Sequence, residues 1–100
     1  MARKRLIWTD SAEQELGRIL HFFRERNGNS TYSKKLKLAF TEITKMIRDY
    51  EEIGIKYNDE NVRYVIVEGT YQLFYEITEH QITILKVWDA RRNPDSLELN

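Results

Sequence analysis

Between Gly54 and Asn61 the chain changes its hydrophobic period, and that change sets the fold class. Before it, apolar residues recur every three or four positions; after it they fall in short blocks rich in β-branched and aromatic side chains. A chain divided in this way packs helices on one face of a sheet.

The first half begins with Lys4-Arg5-Leu6-Ile7-Trp8, a β-prone run that predicts a strand ending at the capping cluster Thr9-Asp10-Ser11. Asp10 and Glu13 stand at capping-box spacing, and Ala12, Leu16, Ile19, Leu20 and Phe23 predict a helix over residues 11–26. Asn27-Gly28-Asn29 supplies positive-φ residues to end it, and Ser30 or Thr31 caps the next helix. There Tyr32, Leu36, Ala39, Phe40, Ile43, Met46, Ile47 and Tyr50 form one stripe. Lys34, Lys35, Lys37, Lys45 and Arg48 lie mostly off that stripe and read as a solvated basic side. So short a connection predicts an antiparallel helical hairpin.

The second half holds three β-like runs at residues 62–67, 71–77 and 82–88, with tight turns at Glu68-Gly69 and Glu79-His80. Pro94 stops the sheet and leaves a short tail. The order β-α-α-β-β-β predicts a single α+β domain over residues 1–100. In it a helical hairpin covers one face of a mainly antiparallel four-stranded sheet, the other face stays at least partly open, and Trp8 belongs to the core. Function is expected on that open face or where the tail leaves the sheet.

Composition narrows the chemistry. Hydrophobic residues make up 41% and charged residues 32%, a globular mixture. Cysteine is absent, which excludes disulfides, cysteine-ligated zinc and a thiol nucleophile. No apolar run is long enough for a signal peptide or a membrane span, so a soluble cytoplasmic protein with no membrane partner is expected. The net charge is zero, yet residues 1–50 carry eleven Lys/Arg against six Asp/Glu, and residues 51–100 carry five against ten. Neutrality is therefore weak evidence against a basic binding face.

His21 and His80 do not form a ligand pair, and the four glycines are isolated, so neither a metal site nor a phosphate loop is expected, and no cofactor. Ser11, Ser30 and Ser33 sit at helix starts, where capping accounts for them. The most informative segment is Lys86-Val87-Trp88-Asp89-Ala90-Arg91-Arg92-Asn93-Pro94. Consecutive arginines after a strand, beside a lysine and an aromatic, can grip phosphates or acidic protein groups. Equally, they can form a solvated strand end paired with Asp89, Asp95 or Glu98. Arg63 shares a strand side with Val65 and Val67, and is either an anchor for a partner or an edge charge that discourages aggregation. Tyr57, Tyr64, Tyr71 and Tyr75 can stack on bases; for Tyr71 and Tyr75 a cross-strand aromatic ladder is preferred.

Three segments in this order resemble the RelE/ParE toxin superfamily of type II toxin-antitoxin, or plasmid stabilisation, systems. They are Leu6 to Ala12 with Leu16 and Ile19; Arg63 through Tyr71-Gln72-Leu73-Phe74-Tyr75-Glu76-Ile77; and Ile84 through Pro94. Within that superfamily RelE-like members cleave mRNA on the ribosome and ParE-like members poison DNA gyrase. RelE-type nucleases carry basic groups on the second and third strands, where this chain has Val65, Val67 and Gln72, which transfer no protons. Arg92 keeps the expected basic position after the last strand, but no Tyr or His follows it. The spacing from Arg63 to Tyr71 and Tyr75, and the ending Val87-x-x-Ala90-Arg91-Arg92, look like the ParE branch.

The resemblance implies a toxin that inhibits DNA gyrase by binding, with Lys86, Trp88, Arg91, Arg92 and Asn93 as target contacts. Its alternatives are a ribosome-dependent mRNA endoribonuclease working through Arg63, Arg91 and Arg92, with Lys56, Tyr57 and His80 as variant groups, or an inactive antitoxin-binding module. It also implies a cognate antitoxin that wraps the toxin in a hetero-oligomer.

Overall fold

In the computed structural model, which describes residues 4–58 and 61–99, the described residues form two helices and five strands. The basic start at 1–3, and Asp59 and Glu60 within the polar stretch at the change of period, lie outside the described residues. Strand β1 (Arg5–Trp8) leads into α1 (Asp10–Asn27) and α2 (Thr31–Asp49); β2 (Ile55–Lys56), β3 (Val62–Val67), β4 (Tyr71–Ile77) and β5 (Gln81–Asp89) follow. A short 3-10 turn at Pro94–Ser96 starts the tail. The sheet order is β1-β5-β4-β3-β2, with β1 parallel to β5 and every other pair antiparallel. The α+β class and the hairpin-on-sheet arrangement are as expected. The strand count is not: five rather than four, because Ile55–Lys56 pairs with Tyr64 and Arg63.

The helix boundaries rest on different caps from those expected. Thr9, not Asp10, is the N-cap of α1: its Oγ1 accepts from the Ala12 amide at 3.1 Å, while its own amide donates to Ile84 O at 3.1 Å. One residue thus closes β1 onto β5 and starts α1. Thr9→Ala should cost about 1 kcal/mol, lowering the melting temperature by roughly 4–8 °C; an unchanged melting curve would show the cap to be redundant. Gly28 (φ 70°) ends α1 in the left-handed region, as its position after Asn27 suggested, and its amide donates to Arg24 O. At the start of α2 neither Ser30 nor Thr31 caps through its side chain: Asn29 Oδ1 accepts from the Thr31 amide, and Ser33 Oγ donates to Ser30 O.

The main core lies between hairpin and sheet, where Ala12, Leu36, Phe40 and Ile47 meet Val65, Val67, Tyr71, Leu73, Tyr75, Ile82, Ile84 and Val87. Trp8 packs against this core while only partly buried. The stripe of α2 drifts at its end, leaving Met46 exposed, and Tyr50 leaves helical geometry as the C-cap. On the opposite sheet face Val62, Phe74 and Trp88 form a second buried cluster, over which the tail folds back with Leu97 and Leu99. That face is therefore partly covered by the chain's own end.

A bulge sets which side chains reach each face. Phe74 pairs with Lys86 and Tyr75 with Ile84, so Leu85 has no partner in β4 and the alternation of β5 reverses. Ile82 and Ile84 face the helices, and beyond the bulge so does Val87, which turns Trp88 to the other side.

Candidate functional site at the end of β5

The last residue of β5, Asp89, stands opposite Tyr71 and organises the segment that follows. Its Oδ1 accepts from the Arg91 amide (2.9 Å) and Nε (3.0 Å), and its Oδ2 from Arg91 Nη2 (2.7 Å). The Arg92 amide donates to Asp89 O at 2.9 Å. This forked pairing turns the chain sharply at the sheet edge and leaves the Arg91 side chain 76% exposed. The turn also lays the Arg92 guanidinium over the Trp88 ring, 4.4 Å from its centroid. Lys86 Nζ lies 5.7 Å from the same ring and pairs with Glu15 Oε2 of α1 at 2.9 Å. Asn93 Oδ1 accepts from the Asp95 amide and starts the 3-10 turn.

Of the five residues expected to contact a target, Lys86, Trp88 and Arg92 thus form one stack, and Arg91 borders it. Trp88 is 3% exposed, so it acts as the platform beneath Arg92, with little surface of its own to offer. Arg63 lies elsewhere. It pairs with Tyr75 near one end of the β3–β4 ladder, whereas Val67 and Tyr71, next to Asp89, close the other end. Its Nη1 donates to Gly54 O (2.8 Å) and Glu52 O (3.2 Å), fastening the α2–β2 connection. The structure therefore does not bring Arg63 to Arg91 and Arg92. His80, on the β4–β5 turn, sits at the far end of β5, exposed and 3.9 Å from Glu79.

The electrostatics favour holding over proton transfer. Burial, followed by the nearby Asp89 charge, pushes the Tyr71 phenol above its ordinary range, so it is protonated at neutral pH. The Arg91 side-chain hydrogen bond is the chief cause holding the Asp89 carboxyl below the usual carboxylate range, helped by the Arg91 amide and opposed by burial. A carboxyl depressed on folding contributes stability that is present above its unfolded pKa, about 3.9, and is lost as pH falls through the lower folded value. Acid titration of stability below about pH 4 should accordingly show a smaller decline in Asp89→Asn than in the native protein; equal declines would mean that the Arg91 pairing contributes nothing.

Sequence reasoning passed over Glu15, Arg18 and Phe22 of α1. Glu15 Oε1 accepts from the Val87 amide at 3.3 Å while Oε2 holds Lys86, so this carboxylate guards the part of the β5 edge that β1 is too short to cover. A readable signal existed for Phe22. It stands one helical step, roughly 100°, from Phe23 on the side away from Leu16 and Leu20, which puts its ring off the apolar stripe.

Three comparisons bear on the whole. Residues 6–94 match the sequence model of the family described as ParE toxin of type II toxin-antitoxin system, parDE. No curated protein matches the sequence. A solved structure described as the chromosomal ParDE TA system from P. aeruginosa superposes with a TM-score of 0.73 at 19% identity, covering 87% of this chain and 96% of that one.

Proposed function

The chain belongs to the ParE toxin family of type II toxin-antitoxin systems, and from that premise we propose that it arrests growth by binding DNA gyrase in the cytoplasm through the surface at the end of β5. One observation carries the choice of a binding mechanism. The positions at which a RelE-type nuclease would need basic groups are Val65 and Val67, buried under the helical hairpin, and Gln72, part-buried between β3 and β5. The cations at the end of β5 are instead arranged as a rigid contact surface. Arg91 is fixed by Asp89, and Arg92 lies over a buried indole. An arginine whose rotamer is already set loses little entropy on docking, which suits a binding hot spot. An antitoxin is the natural regulatory partner of such a toxin, and the complex is a hetero-oligomer.

The test is a gyrase supercoiling assay with purified protein, run beside primer extension on mRNA after induced expression. Lost supercoiling or trapped cleaved DNA, with intact transcripts, is the expected result. Codon-dependent cuts in mRNA with unaffected gyrase would replace this reading with ribosome-dependent cleavage. Unimpaired growth in the absence of an antitoxin would mark an inactive binding module.

A further inference from the structure

The helical hairpin carries a second concentration of positive charge, separate from the arginines after β5. Between Arg24 and Lys37 the chain has five Lys/Arg against one carboxylate, Glu25. Three of the five meet in space. Arg24 near the end of α1, with Lys34 and Lys37 in the first two turns of α2, lines a cleft of about 450 Å³ together with Leu20, Ser30 and Ser33. All three cations are exposed, and among the described residues none is paired with a carboxylate. Like charges gathered in this way repel one another, so the cleft gains from an anion that all three can share.

The start of α2 adds to the same side. Whereas α1 has Asp10 and Glu13 in its first turn, α2 has no acidic residue there and Ser30 makes no side-chain capping bond, so the positive end of its dipole is unopposed. Beyond the cleft, Lys34, Lys37, Thr41, Lys45 and Arg48 recur at steps of three and four. That spacing lays them along one side of α2 over about 21 Å. The carboxylates on this side are Glu13, in the neighbouring cleft that Lys37 also lines, and Glu42, 3.9 Å from Lys45. Both lie beyond the meeting point of Arg24, Lys34 and Lys37, which is the most positive part of the row.

We infer that this cleft and the row beyond it bind the backbone of duplex DNA, with a phosphate held by Arg24, Lys34 and Lys37 and the strand continuing along α2. The lining selects the ligand. No aromatic side chain belongs to it, which leaves an unpaired strand without a stacking platform. The Ser33 hydroxyl is spent on Ser30 O at 3.1 Å, so the contacts are those of cations with phosphate oxygens and do not depend on base sequence. This site goes beyond the gyrase reading and does not rest on it. The two combine simply: a chain that contacts gyrase and also holds the DNA beside it gains occupancy through effective concentration, even where each contact alone is weak.

The experiment uses the full chain and a fluorescein-labelled DNA duplex of mixed sequence, without gyrase, read by anisotropy over a salt series. Three phosphate-binding cations give log affinity against log salt a slope of at least about −2.7. Arg24→Gln, Lys34→Gln and Lys37→Gln should each flatten that slope by about 1, and the triple variant should bind about tenfold or more weakly at low salt. A duplex of scrambled sequence should bind equally well, and Arg5→Gln, at an exposed position of β1, should change nothing. The single variants keep the test valid if the triple variant fails to fold. An unchanged slope in the three single variants, an equal loss in Arg5→Gln, or affinity that follows base sequence would each overturn the proposal. So would tighter binding, through the same three residues, of single-stranded oligothymidine or of polyglutamate, in favour of an unpaired strand or an acidic protein. Gyrase inhibition is read separately: native protein that binds the duplex as described yet leaves gyrase untouched refutes the toxin reading and keeps this site.

Discussion

Arg91→Ala combined with Arg92→Ala is expected to abolish growth arrest while leaving a folded protein. The structural loss is small because both side chains lie at the surface. The Arg91–Asp89 pair is screened by solvent at its arginine end and contributes little, and the Arg92 contact with Trp88 contributes ~0.5–1 kcal/mol. The functional loss is large because truncated arginine hot spots cost about 2 kcal/mol or more each, so two together weaken target binding by roughly 1,000-fold. Arg91→Lys with Arg92→Lys should fall between, since lysine keeps the charge but lacks the planar fork that meets Asp89 and lies flat on the indole. Growth curves after induction, gyrase inhibition and a melting curve read the three quantities separately. A double alanine variant that folds and still arrests growth would move the toxic surface away from β5.

Most of this architecture was legible because it follows from side-chain period. The α1 stripe from Ala12 to Phe23 packs on the core as read, and the blocks at 71–77 and 82–88 are strands within a residue at each end. What escaped has no period. A strand of two residues, Ile55–Lys56, cannot show alternation, and it exists because β3 offers it an edge. The Leu85 bulge cancels alternation locally, so strict parity from Ile82 would have put Trp88 under the helices. The return of Leu97 and Leu99 onto the second cluster depends on the turn that Asn93 starts, a long-range event invisible in the tail's own composition. The candidate site divides in the same way. The arginines and their neighbours were adjacent in sequence and could be noticed. Their neighbours Glu15, Arg18 and Phe22 lie more than sixty positions from Val87, and the two sets meet only where β1 stops short and α1 crosses the bare edge of β5.

Gly54→Ala should be the most damaging small substitution in the chain, although it adds a single methyl group. Gly54 sits where the connection from α2 turns into β2, and a Cβ there would come within 2.6 Å of Tyr75 Oη, 2.8 Å of Tyr64 O and 2.9 Å of Tyr75 Cε1. The Tyr75 ring cannot retreat, because it is fully buried and its hydroxyl donates to Glu51 O at 2.7 Å while accepting from the Gly54 amide at 2.9 Å. Tyr64 O belongs to the β3 backbone, which is paired with β2 on one side and β4 on the other. Relief therefore means displacing the connection, breaking the Tyr75 hydrogen bonds and pulling Gly54 O away from Arg63. Overpacking costs about 1–3 kcal/mol, and a buried amide left without a partner a further ~1–3 kcal/mol, against a total stability of about 5–15 kcal/mol for a domain. Tyr75→Phe removes the hydroxyl alone and should cost about 1–3 kcal/mol by stranding the Gly54 amide. Combining the two isolates the clash: with Oη gone, Gly54→Ala loses its closest collision and should cost less than it does in the native background. Urea denaturation of the four proteins measures the coupling. A cost for Gly54→Ala that is the same with tyrosine or phenylalanine at position 75 would mean that Tyr64 O and the ring edge at Cε1, and not the hydroxyl, forbid the side chain.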